Sequence, residues 1–124
     1  MTTTASLQEK LRNRTKRFAL SVIQLVAEDF GTESGRVIGK QLLRSATSVA
    51  ANYRSAGRAR SRREFASRIG VVLEEADESV LWLELLAEAQ LSRRNVILVA
   101  KEARELVAIF SASYETARRR KEFP

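Results

Sequence analysis

The chain has 124 residues, 44% hydrophobic and 30% charged, with a formal net charge of +7, which fits one folded domain around a single core and not a disordered chain. It holds no cysteine and no histidine, which excludes disulfides, thiolate chemistry and zinc–sulfur sites and removes the usual general base and commonest metal ligand. One proline, the last residue, and five glycines leave almost nothing to interrupt regular structure, and that points to helices.

The first helix is expected from about Leu7 to Asp29. Ser6 and Glu9 form a capping box at its start, and Gly31 supplies a stop. Leu7, Leu11, Phe18, Val22 and Leu25 recur at helical spacing. The second helix is expected over 34–59. Projected at 100° per residue, Ile38, Leu42, Ala46, Val49, Tyr53 and Ala56 make its core stripe. Arg36, Lys40, Arg54 and Arg58 fall on the solvent side, and Gln41, Arg44, Ser48 and Asn52 run along the edge of the core.

A second capping box, Ser61 with Glu64, opens the third helix, expected over 62–90. Phe65, Ile69, Val72, Ala76, Val80 and Leu83 form its core stripe, while Glu74, Asp77, Glu84 and Glu88 point to water. Between them runs a mixed strip of Val71, Glu75, Glu78, Trp82 and Leu86. Ser92 is expected to cap a fourth helix over 93–120, with Val96, Ala100, Ala103, Val107, Phe110 and Tyr114 as its apolar seam. Helices of similar length joined by short links pack as antiparallel neighbours. The expected fold is all-α, an antiparallel up-down-up-down four-helix bundle in a single domain.

Charge divides sharply between the two middle helices. Between Arg36 and Arg68 the only acid is Glu64, whereas Glu74, Glu75, Asp77, Glu78, Glu84 and Glu88 meet no base between Ile69 and Ser92. Antiparallel packing can bring the opposite strips together, with Arg44 against Glu75 or Glu78 and support from Ser48 and Asn52. Whether that network lies within one subunit or between subunits is open at this point. The strip bearing Trp82 has two readings, an interface with a second copy or a wide core stripe; self-association is the economical one.

The segment from Gly39 to Leu86 resembles the four-helix-bundle proteins encoded by intervening sequences of bacterial 23S ribosomal RNA genes. The resemblance rests on Gln41-Leu42, Arg44-Ser45, Ser48 and Asn52 in the second helix. It continues through Ser61 and Phe65 to Glu75-Ala76, Glu78 and Trp82-Leu83-Glu84-Leu85 in the third. It implies a compact bundle that assembles into a ring, a homopentamer. The accessory protein of diversity-generating retroelements looks like a relative, which implies nucleic acid and a reverse transcriptase as partners. Many relatives have a glutamate after the asparagine segment, where this chain carries Asn52-Tyr53-Arg54.

Catalysis finds little support. Glu75 and Glu78 stand three apart, but no histidine completes a di-metal pattern. No serine has a base partner, and Gly31 to Gly35 lacks the lysine of a phosphate-binding loop. A non-enzyme without metal or cofactor is expected. No apolar run approaches the ~20 residues of a membrane span, and the first residues lack the apolar core of a secretory leader, so a cytoplasmic protein with no membrane partner is expected.

The positive expectation is nucleic-acid binding. Arg54, Arg58, Arg60, Arg62 and Arg63 cluster where the second helix gives way to the third, and Arg118, Arg119, Arg120 and Lys121 end the fourth. The second and fourth helices run parallel, so both clusters share one pole. Such a pole suits RNA or DNA phosphates, although cations near helix C-termini also complement the helix dipole. The alternative is a protein-interaction scaffold for a partner enzyme such as a reverse transcriptase.

Overall fold

Four helices account for the fold: α1 (Leu7–Val26), α2 (Glu33–Ala56), α3 (Arg62–Glu88) and α4 (Ile97–Arg119). The computed structural model describes residues 6–28, 30–92 and 96–119. Each helix packs against its neighbours in chain order, and α1 and α4 close the ring of four, which makes an all-α four-helix bundle. The seams are unequal. Contact between α2 and α3 is the most extensive, α3 with α4 follows, and α1 with α4 is the sparsest. No helix among the described residues is long and apolar enough to cross a membrane.

Capping chemistry sets three of the four starts. Ser6 Oγ accepts the Glu9 backbone N–H at 3.1 Å, and Ser61 Oγ accepts that of Glu64 at 3.0 Å, as the two capping boxes require. Thr32 Oγ1 does the same for Gly35 at 3.0 Å, a residue earlier than the expected start of α2. The expected start of α4 after Ser92 falls on residues 93–95, which lie outside the described residues. Among the described residues the Ala100 N–H donates to the carbonyl of buried Val96 at 2.9 Å.

The helix ends fall short of the sequence expectation, for local reasons. α1 stops at Val26 and not at Asp29, a residue outside the described set. The chain then turns through Gly31, whose φ of +76° is left-handed. Phe30 folds back over α2 so closely that a Cβ at Gly39 would lie 2.7 Å from its ring. α2 ends at Ala56, because Arg58 and Ala59 donate to carbonyls three residues back and tighten the last turn before extended Ser61. α3 ends at Glu88 in a Schellman turn: Leu91 N–H reaches the Leu86 carbonyl at 3.0 Å and Gln90 N–H that of Ala87 at 3.1 Å. Gln90 takes the left-handed position, φ +55°, usually given to glycine.

The core follows the helical spacing closely, with some reassignments. Leu42, Ala46, Val49, Ile69, Val72, Ala76 and Leu83 are fully buried. Leu86, expected on the mixed strip, is also fully buried, and so is Leu106, which the spacing passed over. Leu7, expected inside, is 72% exposed because α1 begins beyond the end of the core. Phe65, Ile38, Val107 and Tyr114 are only partly buried against the cluster, and Glu84 is half-buried and not fully in water. Tyr53 stacks its ring on Phe110 at 5.3 Å, tilted by 47°.

Small polar residues let α2 and α3 approach. Ser45 and Ser79 are both fully buried, and their hydroxyls meet at 2.8 Å. Each also bonds its own helix, Ser45 to the Leu42 carbonyl at 3.2 Å and Ser79 to that of Glu75 at 2.9 Å, so neither hydroxyl is buried unsatisfied. Across the sparse seam, Arg14 of α1 grips Glu102 of α4 in a two-pronged pair at 2.8 and 2.7 Å. The hydrogen bond to Glu102 raises the Arg14 pKa above its ordinary value.

Two outcomes follow. Ser79→Leu overfills the α2–α3 contact and is expected to cost about 1–3 kcal/mol, read as a lower urea midpoint; an unchanged midpoint would show spare room at the seam. Burial raises the Tyr53 phenol above its ordinary 10.0, so the fold favours the neutral form. That stability is complete below the unfolded pKa and is lost as pH climbs through the folded one. Tyr53→Phe should therefore retain more of its stability than the wild type above about pH 10, measured by urea titration at each pH.

Candidate nucleic-acid interface

Up-down connectivity gathers the start of α1, the end of α2, the start of α3 and the end of α4 at one pole. Arg54, Arg58, Arg60 and Arg63 are exposed there and Arg62 is half-buried. The link between α2 and α3 is short because Ser61 caps α3 almost as soon as α2 ends, and this keeps Arg58, Arg60, Arg62 and Arg63 together. Gln8 of α1 packs beside Gly57, so that a Cβ there would run into its amide. An open, largely apolar cleft of about 770 Å³ lies between α1 and α4 at this pole, with Arg60 and Arg62 at its rim.

The two cationic clusters differ in their company. Arg118 donates to both Glu115 oxygens, at 3.2 and 3.0 Å, and Arg119 Nε lies 3.7 Å from the same carboxylate. That bond holds the Arg118 pKa above its ordinary value. One glutamate thus offsets part of the charge at the end of α4. Arg120 and Lys121 lie outside the described residues. Arg54 and Arg58 carry no such acid: among the described residues no carboxylate pairs with them. Glu64 is engaged with the start of α3, where its carboxylate accepts the Arg60 backbone N–H at 3.4 Å.

The polar strip lies higher on the bundle, along the α2–α3 seam and within one chain. Arg44 Nη1 donates to Glu75 Oε2 at 3.0 Å, its Nη2 donates to Glu78 Oε1, and its Nε reaches Gln41 Oε1 at 3.4 Å. The Arg44 side chain is half exposed while Glu75 is largely covered, so the pair bridges the rim of the seam and not its interior. The bond to Glu78 first, then the charge of Glu75, lifts the Arg44 pKa. Ser48 and Asn52 do not extend this network. Asn52 Nδ2 donates to the Ser48 carbonyl and hydroxyl, both at 2.9 Å. Two turns of helix, about 12 Å, separate Asn52 from Arg44, beyond side-chain reach.

Trp82 sits on the same side of α3, partly buried against the core. Its Nε1 is buried without an acceptor among the described residues. Buried polar groups are nearly always paired, so the indole is an oddity in an isolated chain. Sequence reasoning placed Trp82 on this strip but passed over the Ser45–Ser79 contact and the Arg14–Glu102 clamp. Nothing in spacing alone marks a buried serine as a helix contact. Arg14 lacked a signal because its partner stands on a helix far along the chain.

The family model for the 23S rRNA-intervening sequence protein matches residues 8–112. The fold is similar to a crystal structure of a protein with unknown function from the S23 ribosomal protein family of Bacteroides thetaiotaomicron. The two share 28% identity over 87% of this chain and 97% of the other, with a TM-score of 0.75. Comparison with curated proteins finds no match. The family match spans all four helices, from the first turn of α1 to the middle of α4, and on that ground the chain belongs to the 23S rRNA-intervening sequence protein family.

Proposed function

We propose that the protein is a non-enzymatic, cytoplasmic homo-oligomer whose cationic pole binds RNA or DNA through phosphate contacts. The observation that carries this reading is the exposed cluster of Arg54, Arg58, Arg60 and Arg63, in which Arg54 and Arg58 have no carboxylate partner among the described residues. Arginines left in water beside one another repel, and a phosphate backbone relieves that repulsion while releasing its own counterions.

Assembly rests on separate observations. The partly exposed Trp82 and the exposed Leu81 and Leu85 beside it in sequence suit a second copy, with tryptophan as an anchor. A closed ring, pentameric as the resemblance implies, would repeat the cationic pole around its axis. The second reading is a scaffold for a partner enzyme such as a reverse transcriptase. It draws on Ile97 and Leu98, 65% and 72% exposed at the opposite end of the bundle from the arginines.

Fluorescence anisotropy with labelled RNA and DNA oligonucleotides tests the first reading. Affinity should fall linearly with salt on logarithmic axes, and Arg58→Ala should make the slope shallower by about 0.7–0.9. Absence of binding to either polymer at low salt would leave only the scaffold. For assembly, Trp82→Ala and the surface change Leu85→Glu should both lower the mass seen by light scattering. A wild type that is already monomeric removes the ring from the proposal.

A further inference from the structure

A second basic surface lies on the flank of the bundle, in the groove between α1 and α2. It has a volume of about 460 Å³ and is lined by Arg12 and Lys16 from α1, Arg54 from α2, Arg58 from the turn just after it, and small residues such as Ala50 and Ala51 between the walls. All four cations are exposed. None pairs with a carboxylate among the described residues. The contrast with the end of α4 is direct, since Glu115 there engages both Arg118 and Arg119.

We infer that this groove, and not the end of α4, seats the sugar–phosphate backbone of the bound nucleic acid, with Arg12 and Lys16 as binding residues alongside Arg54 and Arg58. The inference deepens the proposed function and rests on it. On α1 Arg12 and Lys16 stand one helical turn apart, about 6 Å along the axis, and on the other wall Arg58 follows Arg54 in the turn that ends α2. They therefore form two charged rows running along the bundle, suited to a chain of successive phosphates more than to a single anion. The alanine floor lets a backbone approach without meeting bulky side chains. Among the described residues no acid lines the groove and no aromatic ring does either, so bases find no stacking platform there. Recognition is by charge and not by base identity. Arg58 ends the row at the pole, which makes the groove continuous with the cluster at Arg60 and Arg63. Glu74, Asp77 and Glu88, exposed on α3, repel the same polymer and fix which side of the bundle it meets.

The test compares two double variants of the full chain, Arg12→Gln/Lys16→Gln in the groove and Arg60→Gln/Arg63→Gln at the pole. Circular dichroism checks folding, which the exposed positions should preserve. Binding is read by anisotropy with labelled oligo-dT and oligo-dC across a salt series. The groove variant should bind about ten-fold more weakly at low salt, with a slope shallower by about 1.4, two single-strand contacts' worth. Wild-type affinities for the two homopolymers should agree within a few-fold. If the wild type binds and the groove variant keeps its affinity and slope, the groove assignment fails while the pole reading survives. If the wild type binds neither oligonucleotide, both fail. A groove variant that instead changes mass in light scattering marks the groove as a contact between copies and overturns the inference.

Discussion

The close approach of α2 and α3 governs the rest of the molecule. Ser45 and Ser79 meet with their hydroxyls in contact, which a larger pair of side chains would not allow. Around that contact Leu42, Ala46, Val49, Val72, Ala76 and Leu83 are sealed from water. Apolar burial stabilises such a seam without direction, whereas the serine pair and the Arg44 bridge to Glu75 and Glu78 act only in one register. The bridge is half in solvent, so its worth is register more than energy. Once α2 and α3 are set, the short link through Ser61 holds their arginines at a common end.

Charge is distributed by end and by face, and the two patterns have different causes. The acids of α3 split between those drawn to Arg44 and those left in water, a division that follows from helical periodicity. The cations gather where α2 stops and along the flank it shares with α1, where Arg12, Lys16, Arg54 and Arg58 pair with no carboxylate among the described residues. Cations at the end of α2 do complement its dipole. That explanation covers Arg54 and Arg58 but not Arg12 and Lys16, which stand well away from the C-terminal turn of α1. Dipole compensation therefore fails to account for the whole basic surface, which the proposed binding of an external polyanion would cover.

Local chemistry was the legible part of the sequence. Capping boxes at Ser6 and Ser61 marked two helix starts, and helical spacing found most of the core, because both signals act over a few residues. The helix ends were misjudged where tertiary packing took over: Phe30 folding back onto Gly39 and the left-handed turn at Gln90. Leu86 was misassigned for a related reason. A single helix projection cannot tell that two neighbouring helices widen the buried arc toward the end of α3. The Arg44 pairing was readable because opposite charges lay on facing strips, yet Asn52 lies two turns on and bonds Ser48 instead of joining it. Arg14 with Glu102 depends on the closing seam of the bundle, the contact with the least sequence signature.

That closing seam shapes how the bundle responds to a ligand. α1 touches α4 far less than it touches α2, and the Arg14–Glu102 clamp is 30% exposed on both sides, so α1 depends mainly on α2 for its position. Local opening is drawn from such weakly tied elements. The α1–α2 groove lies along the contact that holds α1 in place. Four cations facing one another across it push the two helices apart, and screening by salt weakens that push without supplying a bond. A polyanion seated there converts the repulsion into a shared attraction and ties α1 down. Binding to the folded chain alone raises its stability by mass action. The same residues that make the groove attractive to phosphate therefore make α1 the element that tightens most on binding, and hydrogen exchange would register the ligand first in the backbone of α1 and last in the α2–α3 seam.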